Sequence, residues 1–93
     1  MHERLEATVR GRVQGVGFRD FVYGRALQLK LTGYVKNARD DHRAVEVVAE
    51  GPRETLERLV EYLWQGPRSS RVDRVDVEWR DASGEFDEFG LAF

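Results

Sequence analysis

The chain has 93 residues, a formal net charge of −2 and no cysteine. That length makes one small domain, residues 1–93, able to bury about 60–65% of its unfolded-chain surface in a single core. Disulfides and thiolate metal sites are excluded, a reducing cytoplasm is suited, and the slightly acidic balance argues against a general nucleic-acid binder. The charge is uneven along the chain: residues 1–43 carry nine Lys/Arg against five Asp/Glu, and residues 44–93 carry six against twelve. A basic first half is consistent with an anion site there. No apolar run approaches the length of a membrane span, and Met1-His2-Glu3-Arg4 lacks the pattern of a signal peptide.

Residues 4–13 alternate, with Leu5, Ala7, Val9, Gly11 and Val13 against Glu6, Thr8, Arg10 and Arg12, which predicts a half-buried strand. Phe18, Phe21, Val22, Ala26 and Leu29 then recur at helical spacing. Between the two lies Gly15-Val16-Gly17-Phe18-Arg19. Glycine permits positive φ, so successive N–H groups can turn inward as an anion nest, and the N-terminus of the helix points at the same place. Arg19 adds a charged fork suited to a phosphoryl group. Gln14 is a candidate for orienting this loop through its side-chain amide. Gly24, inside the helix, is expected to reflect close packing. Lys30 follows the stripe; either a left-handed stop strains it by about 1–2 kcal/mol or the helix ends in another way.

Thr32–Ala38 predicts a second strand, with Gly33, Val35 and Asn37 on one face and Tyr34 and Lys36 on the other. Asn37 is the only asparagine in the chain. Arg39–Arg43 reads as a hairpin loop without glycine, longer than a tight turn and able to border a site. Ala44–Glu50 predicts a third strand with Val45, Val47 and Ala49 facing inward. Gly51-Pro52 breaks it and opens a helix, with proline in the first turn. Leu56, Leu59, Val60, Leu63 and Trp64 form the stripe of that helix, and Glu54 and Arg58 an i,i+4 pair. After Gly66-Pro67, Val75, Val77 and Trp79 alternate as a fourth strand. Phe89, Leu91 and Phe93 alternate as a short C-terminal edge strand. The order βαββαβ with right-handed crossovers predicts a ferredoxin-like α+β sandwich: an antiparallel sheet with both helices on one face.

Gly-x-Val-Gln-Gly-Val-Gly-Phe-Arg at residues 11–19, followed by Gly-Tyr-Val-x-Asn at residues 33–37, resembles the acylphosphatase family over nearly the whole chain. The resemblance implies the same fold. It also implies hydrolysis of small acyl phosphates without a cofactor, a metal or a covalent intermediate. The implied catalytic residues are Arg19 and Asn37, with Asn37 holding the attacking water. Gly15, Val16, Gly17, Phe18 and Arg19 would bind the phosphoryl group. Inorganic phosphate would be both product and inhibitor. The chain departs from the family at Lys30, where glycine is usual, and at Ala92, where a basic residue near a terminal aromatic is more common.

The remaining inventory is poor in catalytic groups. His2 and His42 fall in a terminus and a loop and are expected to be solvated. There is no Walker motif and no His/Asp cluster with metal-ligand spacing. An acyl phosphate suits such a site because its leaving group, a carboxylate, needs little help from a general acid. Two other readings compete. One is a non-catalytic phosphate or phospho-ligand binding domain using the same cradle. The other is RNA binding, since residues 15–23 echo an RNP1 pattern. Phe18, Phe21 and Val22 follow helical rather than strand spacing, however, which places them in a core. The expectation is a cytoplasmic monomer, with no nucleic-acid or membrane partner.

Overall fold

A computed structural model describes residues 1–92 of the chain. Its elements run β1 (His2–Arg12), α1 (Phe18–Gln28), β2 (Thr32–Asn37), β3 (Ala44–Pro52), α2 (Arg53–Gln65), β4 (Arg71–Asp81) and β5 (Phe89–Leu91). The sheet order is β4-β1-β3-β2-β5. The first four strands pair antiparallel, as the element order predicts, and β5 joins β2 in parallel. The sheet is therefore mixed at this edge. Phe93 lies outside the described residues.

The core is the inward face of the alternating strands closed by the two helix stripes. Leu5, Val9, Val35, Val45 and Val47 meet Phe18, Val22 and Ala26 of α1 and Leu56, Leu59 and Leu63 of α2, all nearly inaccessible to solvent. Phe18 and Val22 thus sit on the inward face of a helix, not on a sheet surface where they could stack bases. The α2 stripe ends sooner than its spacing implied. Trp64 is 52% exposed, because it lies one position past the face that meets the sheet. The i,i+4 ion pair of α2 joins Arg53 to Glu57 rather than Glu54 to Arg58. Arg53 is also drawn toward the sheet, with its guanidinium 3.6 Å above the centre of the Trp79 ring. β3 continues through Gly51 to Pro52, so the proline caps α2 in an extended conformation instead of entering its first turn.

Lys30 adopts φ 59°, so of the two possible endings the helix takes the left-handed one. Its N–H donates to Leu27 O and that of Leu31 to Ala26 O, a Schellman stop in which a β-carbon replaces the usual glycine hydrogen. Gly24 is exposed, and a β-carbon there would meet nothing within 4 Å. Close packing therefore does not account for it.

The far side of the sheet is crossed by the β4–β5 connection, which must pass from one sheet edge to the other. Glu50, only 3% exposed, holds it. The carboxylate accepts hydrogen bonds from Ser83 N–H (3.0 Å), Ser83 Oγ (2.8 Å) and Gly84 N–H (2.9 Å), and it pairs with Arg4 at 3.1 Å. Phe86 completes the crossing by packing edge-on against Tyr34 and beneath the Arg4 guanidinium. Burial alone would raise the pKa of Glu50. The two backbone donors, the serine hydroxyl and Arg4 outweigh it and bring the value down to about 2.

Two stability predictions follow from these contacts. Lys30→Gly removes the left-handed strain and Gly24→Ala the entropic penalty of a mid-helix glycine, so each variant should gain about 1 kcal/mol. Urea midpoints at unchanged m-value are the measurement; no gain from Lys30→Gly would mean that the stop is unstrained. For Glu50, a folded pKa below the ordinary value means that its contribution is complete above about pH 4.5 and is lost as pH falls toward about 2. Stability followed over that window should drop more steeply in the wild type than in Glu50→Gln, which should already be weaker at neutral pH.

Candidate functional site

β1 and α1 are joined by five residues, the last four of them turn, and the chain has to change direction within them. Gly15 (φ 73°) and Gly17 (φ 79°) both take the left-handed conformation that makes this possible. A β-carbon at either position would meet nothing within 4 Å, so the demand for glycine is conformational rather than steric. Gly17 is the N-cap of α1, and no side chain caps the helix. Phe21 N–H is the first to bond back, to Gly17 O at 3.0 Å. The N–H groups of Phe18, Arg19 and Asp20 therefore lie ahead of the helical ladder at its electropositive end.

A cavity of about 350 Å³ opens in front of this loop, lined by Val13, Gly15, Gly17, Phe18, Arg19, Asp20, Asn37 and Leu91. Three elements meet here that are remote in sequence. Asn37 arrives because β2 ends beside the start of α1, and its side chain shares a face with the fully buried Val35. The C-terminal segment arrives because β5 lies along β2 with Leu91 opposite Val35. Arg19 Nη1 donates to the Ala92 carbonyl at 3.4 Å, which turns the guanidinium toward that segment.

The loop is braced from outside. The Gln14 side-chain amide donates to Asp41 O (3.0 Å) and Ala44 O (2.8 Å), fastening the loop to the β2–β3 hairpin. Within that hairpin Asp41 accepts from Arg43 N–H and from Arg10, so an aspartate organises a turn that glycine would otherwise make. Ser69 Oγ donates to the Val16 carbonyl at 3.1 Å from the segment after α2. Residues 39–43 thus touch the loop through Gln14 but do not line the cavity. Val16, whose carbonyl accepts from Ser69 and which packs against the core, does not line it either, whereas Gly15, Gly17, Phe18, Arg19 and Asn37 do. Tyr34 is on the opposite face of the sheet, against Phe86. His2 and His42 are exposed and take no part.

Three lining residues carried no signal as site residues in the sequence: Val13, Asp20 and Leu91. Val13 reads as core, which it is, at 1% exposure. Asp20 belongs to the first turn of α1, where acidic residues are common for helix-dipole reasons alone. Leu91 could be brought to the site only by the parallel β2–β5 pairing. Among the described residues no three His, Asp or Glu side chains gather as metal ligands, and no helix is long and apolar enough to cross a membrane.

The sheet order and helix placement define a ferredoxin-like α+β protein, with a glycine loop and a helix N-terminus facing a strand-end asparagine. The chain belongs to the acylphosphatase family, whose family model matches residues 5–91. It is 48% identical over 87 residues to an acylphosphatase of Salinibacter ruber, covering 94% of this chain and 90% of that protein. It is 53% identical over 81 residues to an acylphosphatase of Thermus thermophilus, covering 87% and 90%. The crystal structure of acylphosphatase from Bacillus subtilis matches it with a TM-score of 0.91 at 37% identity, covering 98% of this chain and 99% of that one.

Proposed function

We propose that this chain, working as one domain, hydrolyses the carboxyl–phosphate bond of small acyl phosphates to a carboxylate and inorganic phosphate. The observation that carries the reading is the convergence of the Gly15–Arg19 loop and Asn37 on one cavity, in a chain of this family. Arg19 and the loop N–H groups bind the phosphoryl oxygens. The Gly15 and Gly17 backbone keeps those donors convergent, and Phe18, buried at 1% exposure, anchors the first turn. Donors fixed before substrate arrives stabilise charge without reorganising, which is where most of the catalysis of phosphoryl transfer lies.

Asn37 positions the attacking water by accepting a hydrogen bond with its amide oxygen. The water oxygen bonds to phosphorus while the bond from phosphorus to the acyl oxygen breaks, and the carboxylate leaves with the electron pair. An amide is a poor base, so the water proton passes to a phosphoryl oxygen of the substrate. No covalent enzyme intermediate forms. The carboxylate is stable as an anion, and the step therefore runs without a metal or a general acid. Inorganic phosphate fits the same donors and inhibits as product.

The enzyme acts in the cytoplasm, a reading supported by the absence of cysteine from the sequence. It acts as a monomer. In support, one sheet edge is the three-residue β5, and the other, β4, carries Asp73, Arg74, Asp76, Glu78 and Arg80, charges that oppose edge-to-edge pairing.

The test is hydrolysis of benzoyl phosphate in excess chelator. The wild type should turn over, and Arg19→Gln and Asn37→Ala should each lose about 10²–10³-fold in kcat while remaining folded by circular dichroism. Loss of wild-type activity on chelation would overturn the metal-free step, and a wild type that binds phosphate without turnover would leave only a binding module. Phosphate should inhibit competitively, and inhibition should weaken in Arg19→Gln but much less in Asn37→Ala. Equal weakening in both would mean that the two residues do not divide the work in this way.

A further inference from the structure

Four large apolar side chains are substantially exposed among the described residues: Met1, Leu27, Trp64 and Leu91. Leu91 alone of these lines the site cavity. Its position follows from the geometry of β5. Phe89 and Leu91, two residues apart on a strand, project from the same face. Phe89 is 2% exposed and packs against Tyr23 of α1, with ring centres 6.5 Å apart. One step further along β5, the face has passed the start of α1, and Leu91 is left 39% exposed over the cavity.

The other apolar side chains of the cavity are unavailable to a ligand. Val13 and Phe18 are each only 1% exposed and are committed to the core. The remaining wall is backbone, Arg19, Asp20 and Asn37, all suited to the phosphoryl end or to water. An edge strand ordinarily shows charge or polarity at such a place. Resting on the acyl-phosphate reading above, we infer that Leu91 is the contact surface for the acyl substituent, and that it tunes this site toward acyl phosphates with an aromatic or branched aliphatic group.

Arg19 is the common reference for the two ends of the substrate. It lies in the loop and also reaches the Ala92 carbonyl beside Leu91. A phosphoryl group on the loop therefore directs its acyl oxygen, and the group beyond it, along the cavity toward β5. Covering the exposed part of a leucine with an aryl or alkyl group removes apolar surface from water on both partners, and an acetyl group has little to offer in exchange.

The experiment compares kcat/KM for benzoyl phosphate with that for acetyl phosphate in wild type, Leu91→Ala and Leu91→Met. The benzoyl-to-acetyl ratio should fall about three- to tenfold in Leu91→Ala, chiefly through KM for benzoyl phosphate, and should be retained in Leu91→Met, which restores apolar surface without the branched shape. A ratio within twofold of wild type in Leu91→Ala would overturn the inference. So would equal losses for both substrates, the mark of a residue that merely holds β5. Failure of the wild type to hydrolyse either substrate would instead sink the underlying catalytic reading, which keeps the two failures distinct.

Discussion

Everything at this site depends on a chain that leaves a strand and enters a helix within five residues. A short connection of this kind cannot satisfy the first N–H groups of the helix and still aim them outward unless the backbone passes through positive φ. Two glycines supply that conformation, at φ 73° and 79°. The helix start is uncapped as a result, a feature that usually costs stability but here leaves donors directed at the cavity. The anchors of the loop are consistent with this. Gln14 and Ser69 both donate to carbonyls, which steadies the loop without occupying its N–H groups.

The two walls of the cavity are supported unequally. The loop wall grows from β1, which has eleven residues and pairs along its length with β3 on one side and β4 on the other. The β5 wall has three residues and a single neighbour. Its placement relies on the crossing from β4, and that crossing is held by Glu50 at the opposite end of the sheet from Asn37. A buried carboxylate saturated with donors is a costly anchor to form and a costly one to break, since removing a partner would leave charge or donors unpaired in a dry place. A specific, hydrogen-bonded clamp also fixes register where an apolar contact would permit sliding. The clamp therefore fixes the crossing that leads into β5, while Leu91 and Ala92 are set by pairing with Val35 of β2.

These differences track what the sequence made legible. β1, the glycine loop, both helices and the β2–β3 hairpin follow from local period and local punctuation, whereas the left-handed stop at Lys30 was one of two ways the helix could end. Gly33-Tyr34-Val35-Lys36-Asn37 added the pairing of two distant segments that period alone could not supply. Glu50 was hidden, because a glutamate ending a strand looks like any solvated residue until Ser83, Gly84 and Arg4 are seen around it. Gln14 was legible as a loop-orienting residue, but its partners in the hairpin were not. Trp64 continues an apolar stripe but lies one step beyond the element that would have covered it, and Leu91, in the edge strand as expected, is uncovered for the same reason. Periodicity reports which face a side chain is on. It does not report where the covering element stops.

That limit explains why an apolar residue left uncovered can be informative at one position and not at another. Trp64 and Leu27 sit on helix surfaces with nothing at the site beside them, and isolated exposed apolar residues are normal on proteins. Leu91 is uncovered because α1 begins where it does, and α1 begins there because the glycine loop turns the chain at Gly17. The turn that leaves the first N–H groups of α1 facing the cavity thus also withdraws the helix from over β5. Under the proposed assignment a mixed anhydride uses both results, since one end of such a substrate is densely charged and the other is an organic group. In this fold a single backbone reversal provides the polar wall directly and the apolar wall by leaving it bare.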